Sequence, residues 1–282
     1  MKSFATAMIV VGLWLAAGSV QAQPKPAAPR IETYKTVGER ALSAHVFTPA
    51  KAAAAPRAAA LIFHGGGWSV GEPAWTYAAA RVLNAQGLVA IPIEYRLSRG
   101  GATPADALAD ACDAFAWARA NAGRLGIDPA RVAGYGVSAG GQLVASAGLG
   151  ACPGGAKGPD LMLLWSPALD VARDGWFRKL MAGGDPAAIS PVSLSARGGP
   201  PTAIIQGAAD TLTPLSGAET FCANLKAAGG VCELKAYPHL GHLLTRNLAN
   251  QESDFDIDPQ ADRDGDATLN AFLAARGYTA RN

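Results

Sequence analysis

From Ala58 onward the chain alternates short apolar runs with longer helical patterns, and this alternation limits the possible folds more than any other feature of the sequence. The runs are Ala58 to Phe63, Leu88 to Ile93, Val132 to Tyr135, Leu161 to Leu164, Thr202 to Gln206 and Cys232 to Ala236. They are short and largely apolar, so they read as six core strands. Strands of that kind need helices above and below them, which predicts an α/β fold with a mostly parallel central sheet. Ile31 to Tyr34 and Leu42 to Thr48 come first and read as antiparallel edge strands. The clearest helix spans about Pro104 to Asn121, with Pro in its first turn and Leu108, Cys112, Phe115 and Ala118 on one stripe. Gly126-Ile127-Asp128-Pro129 then turns the chain into the next strand.

The amino terminus is of a different kind. Lys2, an apolar run from Ala5 to Ala17 and the small-residue site Val20-Gln21-Ala22 form the pattern of a cleaved secretory signal peptide over residues 1–22. The run is short for a membrane span, and no Cys stands near Ala22 to carry a lipid. The expected product is a periplasmic or secreted chain without a stable membrane anchor, with residues 23–282 forming one catalytic domain. Half of the sequence is hydrophobic (50%), enough at this length for one large core. Lys plus Arg number 24 against 22 for Asp plus Glu, and no run of like charge occurs, which argues against nucleic acid as a partner. Oligomeric state is not legible.

All four cysteines lie beyond the leader, and an even count in an oxidising compartment predicts two disulfides. Four cysteines allow three pairings. Cys222 shares a helical stripe with Leu215, Ala218 and Leu225, and Cys232 opens the following strand on the face of Leu234 and Ala236, so these two can meet. That leaves Cys112 for Cys152. The competing reading is four buried free thiols.

Two glycine motifs carry the chemistry. Gly136-Val137-Ser138-Ala139-Gly140 matches G-x-S-x-G and lies between an apolar strand and a helix, where a nucleophile elbow must lie. The chain has to reverse there while presenting Ser138, and small neighbours keep that turn free of clashes. His64-Gly65-Gly66-Gly67-Trp68 follows the first apolar strand, at the place from which the α/β-hydrolase fold supplies part of an oxyanion hole. Glycines let the backbone itself approach a substrate carbonyl.

These motifs, together with Glu94-Tyr95-Arg96-Leu97 and the segment Asn121 to Pro129, resemble those of the hormone-sensitive-lipase-like esterases and their small carboxylesterase relatives, over roughly residues 58–245. The resemblance implies an α/β-hydrolase fold, a Ser, Asp, His triad, and oxyanion donors from Gly66, Gly67 and Ala139, with His64 structural. It implies no metal or cofactor, and a small-molecule ester as substrate, with carbohydrate acetyl and aromatic esters among the classes. Residues 23–57 are too short and strand-like for the helical cap of the best-known branch, so no large cap domain is expected. The acid should lie between Ser138 and the base in sequence, in a loop after a late strand. Asp210 fits, with Asp170 and Asp174 in reserve. Of the four histidines, His45 falls in an edge strand and His64 in the oxyanion loop, leaving His239 and His242; Gly241 favours His242 as base.

The interval Trp165 to Pro201 is punctuated by Gly and Pro, and can form a turn or two of helix beside the site, with Trp165, Trp176 or Phe177 as candidates to touch an acyl group. An open pocket for short acyl groups follows. Asp262-Arg263-Asp264-Gly265-Asp266 invites a calcium reading, but Ala267 and Leu273 occupy the positions where the loop needs Gly and Glu. The Asp-rich stretch reads instead as a solvated loop and helix start. Two rival functions remain: a peptidase or amidase on the same triad, and a binding protein without turnover.

Overall fold

The computed structural model describes residues 28–279, so the leader read in residues 1–22 lies outside the described residues. Six parallel strands form the central sheet: β3 (Arg57–Phe63), β4 (Val89–Pro92), β5 (Ile127–Val137), β6 (Leu161–Trp165), β7 (Thr202–Gly207) and β8 (Cys232–Tyr237), in the order β4-β3-β5-β6-β7-β8. All six apolar runs of the sequence are strands here. In β3 the alternation is visible residue by residue: Ala59, Leu61 and Phe63 enter one core, Ala58, Ala60 and Ile62 the other. Helices α2 (Pro104–Ala120), α3 (Ala139–Gly148) and α5 (Leu215–Ala227) cover the first face through Leu108, Phe115, Leu143, Phe221 and Leu225. Helices α1 (Tyr77–Ala85) and α6 (Pro259–Ala275) cover the second through Leu83, Leu269 and Phe272. A shorter helix, α4 (Gly175–Leu180), lies in the interval between β6 and β7.

The first two strands depart from expectation. β1 (Arg30–Val37) and β2 (Arg40–Val46) form a separate antiparallel pair and are not edge strands of the main sheet. The cause is Pro92. Phe47 exchanges backbone hydrogen bonds with Ala90, and Glu94 N–H donates to Ser43 O, so β2 runs antiparallel to β4 in one register. The hydrogen-bonded pair between them would be His45 with Pro92, and proline has no N–H to give. The ladder is reduced to isolated bridges.

Helix α2 starts where the sequence places it, with Thr103 as N-cap in a reciprocal capping box with Asp106. Its Asp110 is fully buried and accepts from Lys35 Nζ (2.6 Å) and from Arg96 Nε (2.8 Å). This ionic cluster ties the β1/β2 hairpin to the sheet. The expected turn Gly126 to Pro129 is a left-handed Gly126 followed by an excursion inside β5. There the pairing jumps from Arg57 with Ile127 to Ala59 with Val132, and Asp128 Oδ1 accepts from Ala130 N–H at 2.9 Å. Asp258 caps α6, Asp256 pairs with Arg246 and Asp264 with Lys235, so these members of the Asp-rich stretch have structural partners.

Cys112 is bonded to Cys152 and Cys222 to Cys232, as the stripe argument expects. The second bridge clips α5 to β8 at the edge of the sheet, closing a loop of sequence separation 10. Replacing Cys222 and Cys232 together by Ser is expected to lower unfolding stability by about 2 to 3 kcal/mol. Urea denaturation checks the size, and peptide mapping without reduction checks the pairing. A Cys112 to Cys222 peptide, or an unchanged midpoint, would overturn the assignment.

Candidate active site

The strand order reverses beside β3, whose successor β4 lies on one side and β5 on the other. In open α/β sheets the crevice at the carboxyl ends of such strands is where ligands bind. Here the loop after β3 carries His64 to Trp68, and the turn after β5 carries Ser138.

Ser138 has φ 53° and ψ −117°, a conformation that side-chain-bearing residues rarely adopt. Its neighbours impose it. A Cβ on Gly140 would collide with the carbonyl oxygens of Phe63 and His64, so only glycine lets α3 approach β3 this closely. The elbow is further pinned by Ser138 N–H donating to Trp165 O at 3.0 Å, while Ser138 O accepts from Gly141, Gln142 and Ala168.

Ser138 Oγ lies 3.0 Å from His242 Nε2, and His242 Nδ1 lies 2.8 Å from Asp210 Oδ2. Asp210 and His242 are buried at 5% and 4% exposure. A carboxylate only accepts, so Nδ1 carries the proton and Nε2 is left to accept from the serine hydroxyl. Asp210 Oδ1 accepts from the backbone of Leu212 (2.9 Å) and Thr213 (2.8 Å), and Oδ2 from Gln206 Nε2 (2.9 Å) and Thr213 Oγ1 (2.7 Å). Five donors fix the Asp210 carboxylate in position. Asp170 and Asp174 make no hydrogen bond to His242. His239 is exposed in a turn at φ 62°, away from the chain of hydrogen bonds.

His64 lies behind the oxyanion loop. Its ring stacks on Tyr95 with centroids 4.4 Å apart, Nδ1 meets Gly65 O at 2.6 Å, and burial pushes its pKa down to about 4, so it stays neutral. Tyr95 in turn donates to His64 O at 2.8 Å, which gives the Glu94 to Leu97 motif its role as a clamp. Gly66 has φ 107°, and a Cβ there would strike the Val70 carbonyl; Ser69 and Val70 N–H groups hold the Gly66 carbonyl within the loop. Gly65, Gly66 and Gly67 all line the cleft with Ser138, and Ala139 opens α3, whose amino end faces the same space.

Several supporting residues escape the sequence reading. Gln251 Oε1 accepts from His242 N–H (2.8 Å) and Thr211 N–H (3.2 Å) while its Nε2 donates to Ala209 O (3.0 Å), joining the base loop to the acid loop. Gln142 on α3 accepts from Trp68 Nε1 at 2.9 Å and donates to Ile189 O at 2.8 Å, tying the oxyanion loop to the nucleophile helix. Gln206, a polar residue ending an apolar strand, is the one with a local signal; Gln251 comes from a distant loop and has none. Of the three aromatics expected beside the acyl group, only Trp176 lines the cleft. Trp165 faces the second core, and Phe177 is buried edge-on against Trp68 at 4.7 Å, because β6 and α4 turn those side chains inward.

Among the described residues no group of three or more His, Cys, Asp or Glu is disposed to hold a metal ion, and no helix is long and apolar enough to cross a membrane.

A family profile described as alpha/beta hydrolase fold matches residues 60–179. An arylesterase of Saccharolobus solfataricus is 43% identical over 88 residues, covering 31% of this chain and 28% of that enzyme. Esterase LipC of Mycobacterium tuberculosis is 44% identical over 86 residues, 30% of this chain and 21% of that one. The chain thus spans under a third of the length of these curated relatives. Esterase 2 of Thermogutta terrifontis, solved phosphoramylated by tabun, superposes with a TM-score of 0.80 at 29% identity, over 93% of this chain and all (100%) of that one. The butyrate-bound form of the same esterase superposes with a TM-score of 0.78 at 29% identity, over 92% and 98% of the two chains. The chain has the α/β-hydrolase fold, and over that fold and its two glycine motifs it is similar to serine esterases of the hormone-sensitive-lipase-like type.

Proposed function

We propose that the protein is a serine carboxylesterase that hydrolyses short-chain esters through an acyl-enzyme on Ser138. The observation that carries the reading is the unbroken hydrogen-bonded chain from Asp210 through His242 to Ser138, opening into a cleft walled by the glycine loop. His242 Nε2 takes the Ser138 proton as Oγ bonds to the ester carbonyl carbon. The oxygen that becomes negative is received by the backbone N–H groups of Gly66, Gly67 and Ala139, each contributing roughly 3 to 4 kcal/mol in sites of this kind. Collapse breaks the bond to the alcohol, which leaves with the proton from His242. Water then enters, gives a proton to His242, attacks the acyl carbon and releases the acid, restoring Ser138. Asp210 holds the imidazole tautomer and stabilises the imidazolium throughout.

Esterase 2 of Thermogutta terrifontis, similar over nearly all of this chain, is solved with propionate and with butyrate bound, which supports a small acyl site here. So does the interval between β6 and β7, which places a single aromatic, Trp176, on the cleft and builds no enclosing lid among the described residues. Turnover of p-nitrophenyl esters below their micellar limits is expected to be greatest between acetate and butyrate, since a shallow acyl site gains little from each further CH₂. The matched anilides are expected to react far more slowly. A maximum at decanoate or longer would refute the short-acyl reading, and a preference for the anilide would move the protein to the amidases.

Export belongs to the same proposal: residues 1–22 are removed, and the remaining chain from Gln23 is one catalytic domain in the periplasm or medium. Two disulfides support an oxidising compartment. The non-reducing peptide map described above also reads the mature terminus, expected at Gln23.

A further inference from the structure

The cleft over Ser138 differs in charge from the chain as a whole. Its volume is about 1130 Å³, and apart from His64 and His242 the ionisable side chains on its wall are Asp170, Asp174 and Glu252. No Lys or Arg lines it, although the chain carries 24 of these against 22 acids. None of the three carboxylates belongs to an ion pair among the described residues. Asp174 is engaged as the cap of α4, accepting from Phe177 N–H at 2.6 Å. Asp170, set against Gly217 in the first turn of α5, and Glu252, on the loop beside the base, have no such engagement.

Aromatic faces stand beside these acids. Trp75, Trp176 and Phe255 line the cleft while remaining 58%, 49% and 38% exposed. They stand against the walls of that cleft: Trp75 lies edge-on to His64 behind the glycine loop at 6.0 Å, Trp176 Nε1 donates to Gly67 O at 3.3 Å, and the Phe255 ring centre is 6.5 Å from that of His242. Exposed aromatics clustered around one concavity are the mark of a ligand surface. Their π faces present negative potential, as the carboxylates do. Lys179 stands 5.9 Å over the Trp176 ring, off the cleft wall, and weakens the field on that side. Asp170 and Glu252 therefore dominate it. A concave surface with one sign of charge concentrates ligands of the opposite sign.

We infer that the cleft selects esters whose alcohol part carries a positive charge, an ammonium or quaternary ammonium group, over uncharged isosteres and against carboxylated esters. The inference rests on the esterase reading above and assigns Asp170 and Glu252 as specificity determinants. The volume leaves ample room for such an alcohol beside a short acyl group. The aromatic rings provide cation-π contacts and the carboxylates a longer-range attraction.

The test uses acetylcholine, its uncharged carbon isostere 3,3-dimethylbutyl acetate, and 4-acetoxybutanoate, with p-nitrophenyl acetate as reference. The ratio of kcat/KM for the cation to that for its isostere is expected to be about tenfold at roughly 0.01 M salt and to contract to about twofold near 1 M. The anion is expected to be slowest. Asp170→Asn and Glu252→Gln should each lower the low-salt ratio by about twofold, and together bring it close to the high-salt value. A ratio near one at low salt, a ratio indifferent to salt, or one untouched by both substitutions overturns the inference while leaving the esterase reading standing. Absence of turnover on p-nitrophenyl acetate overturns the esterase reading itself, and the inference with it.

Discussion

Ser138→Ala is expected to reduce kcat on p-nitrophenyl acetate by about 10⁴ to 10⁶, because members of a triad act as a unit and what remains is binding and oxyanion stabilisation. Folding should be little affected. The hydroxyl meets one side-chain partner, His242 Nε2, and the elbow is held by backbone bonds to Trp165, Gly141 and Ala168 that alanine retains. Alanine at φ 53° carries the same backbone strain as serine, so neither relief nor new cost enters. The variant should also fail to accept a fluorophosphonate label that the wild type takes up stoichiometrically. A near wild-type kcat in protein with an unchanged melting transition would remove Ser138 from the mechanism.

His242→Ala should be as severe as the serine substitution, and His239→Ala should leave kcat within about a factor of two, the usual fate of an exposed side chain with no partner in the reaction. The two residues lie three apart in one loop, so the comparison separates chemistry from loop damage. His242 is buried and hydrogen-bonded on both ring nitrogens, to Asp210 and to Ser138. His239 is exposed at φ 62°, with its ring outside the hydrogen-bonded chain. Because His242 also contacts Gln251 through its backbone N–H, which alanine keeps, its removal should cost activity far more than stability. The opposite ranking of the two variants would reassign the base.

The candidate nucleophile, Ser138, was legible because an elbow demands local residues: the strand end, the reversal and the helix start fall within Gly136 to Gly140, and a Cβ on Gly136 or Gly140 would collide with backbone. The candidate acid and base, Asp210 and His242, were legible by order along the chain and by the scarcity of histidine, and the structure brings them within hydrogen-bond distance of one another. The supporting contacts were not legible. Gln251 reaches His242 from nine residues on (|i−j|=9) and Ala209 from 42 residues away, and nothing in its local sequence distinguishes it from a loop glutamine. Trp165 and Phe177 could not be told from Trp176 for the same reason: burial or exposure at the cleft depends on how β6 and α4 are rotated against their neighbours.

The sequence by itself determined the six core strands and the helix at Pro104, because each rests on periodicity, capping or turn chemistry within a few residues, and it pointed to Cys222 with Cys232 while leaving free thiols as the alternative that the structure removed. Only the tertiary structure decided that the first hairpin leaves the main sheet, since this depends on Pro92 falling opposite His45 in a pairing between segments far apart in the chain. It alone also brought Asp170, Glu252 and three aromatic rings to one cleft. Those side chains come from three stretches far apart in the chain, around Trp75, between Asp170 and Trp176, and between Glu252 and Phe255, and the field they make together follows from distances that no one stretch contains.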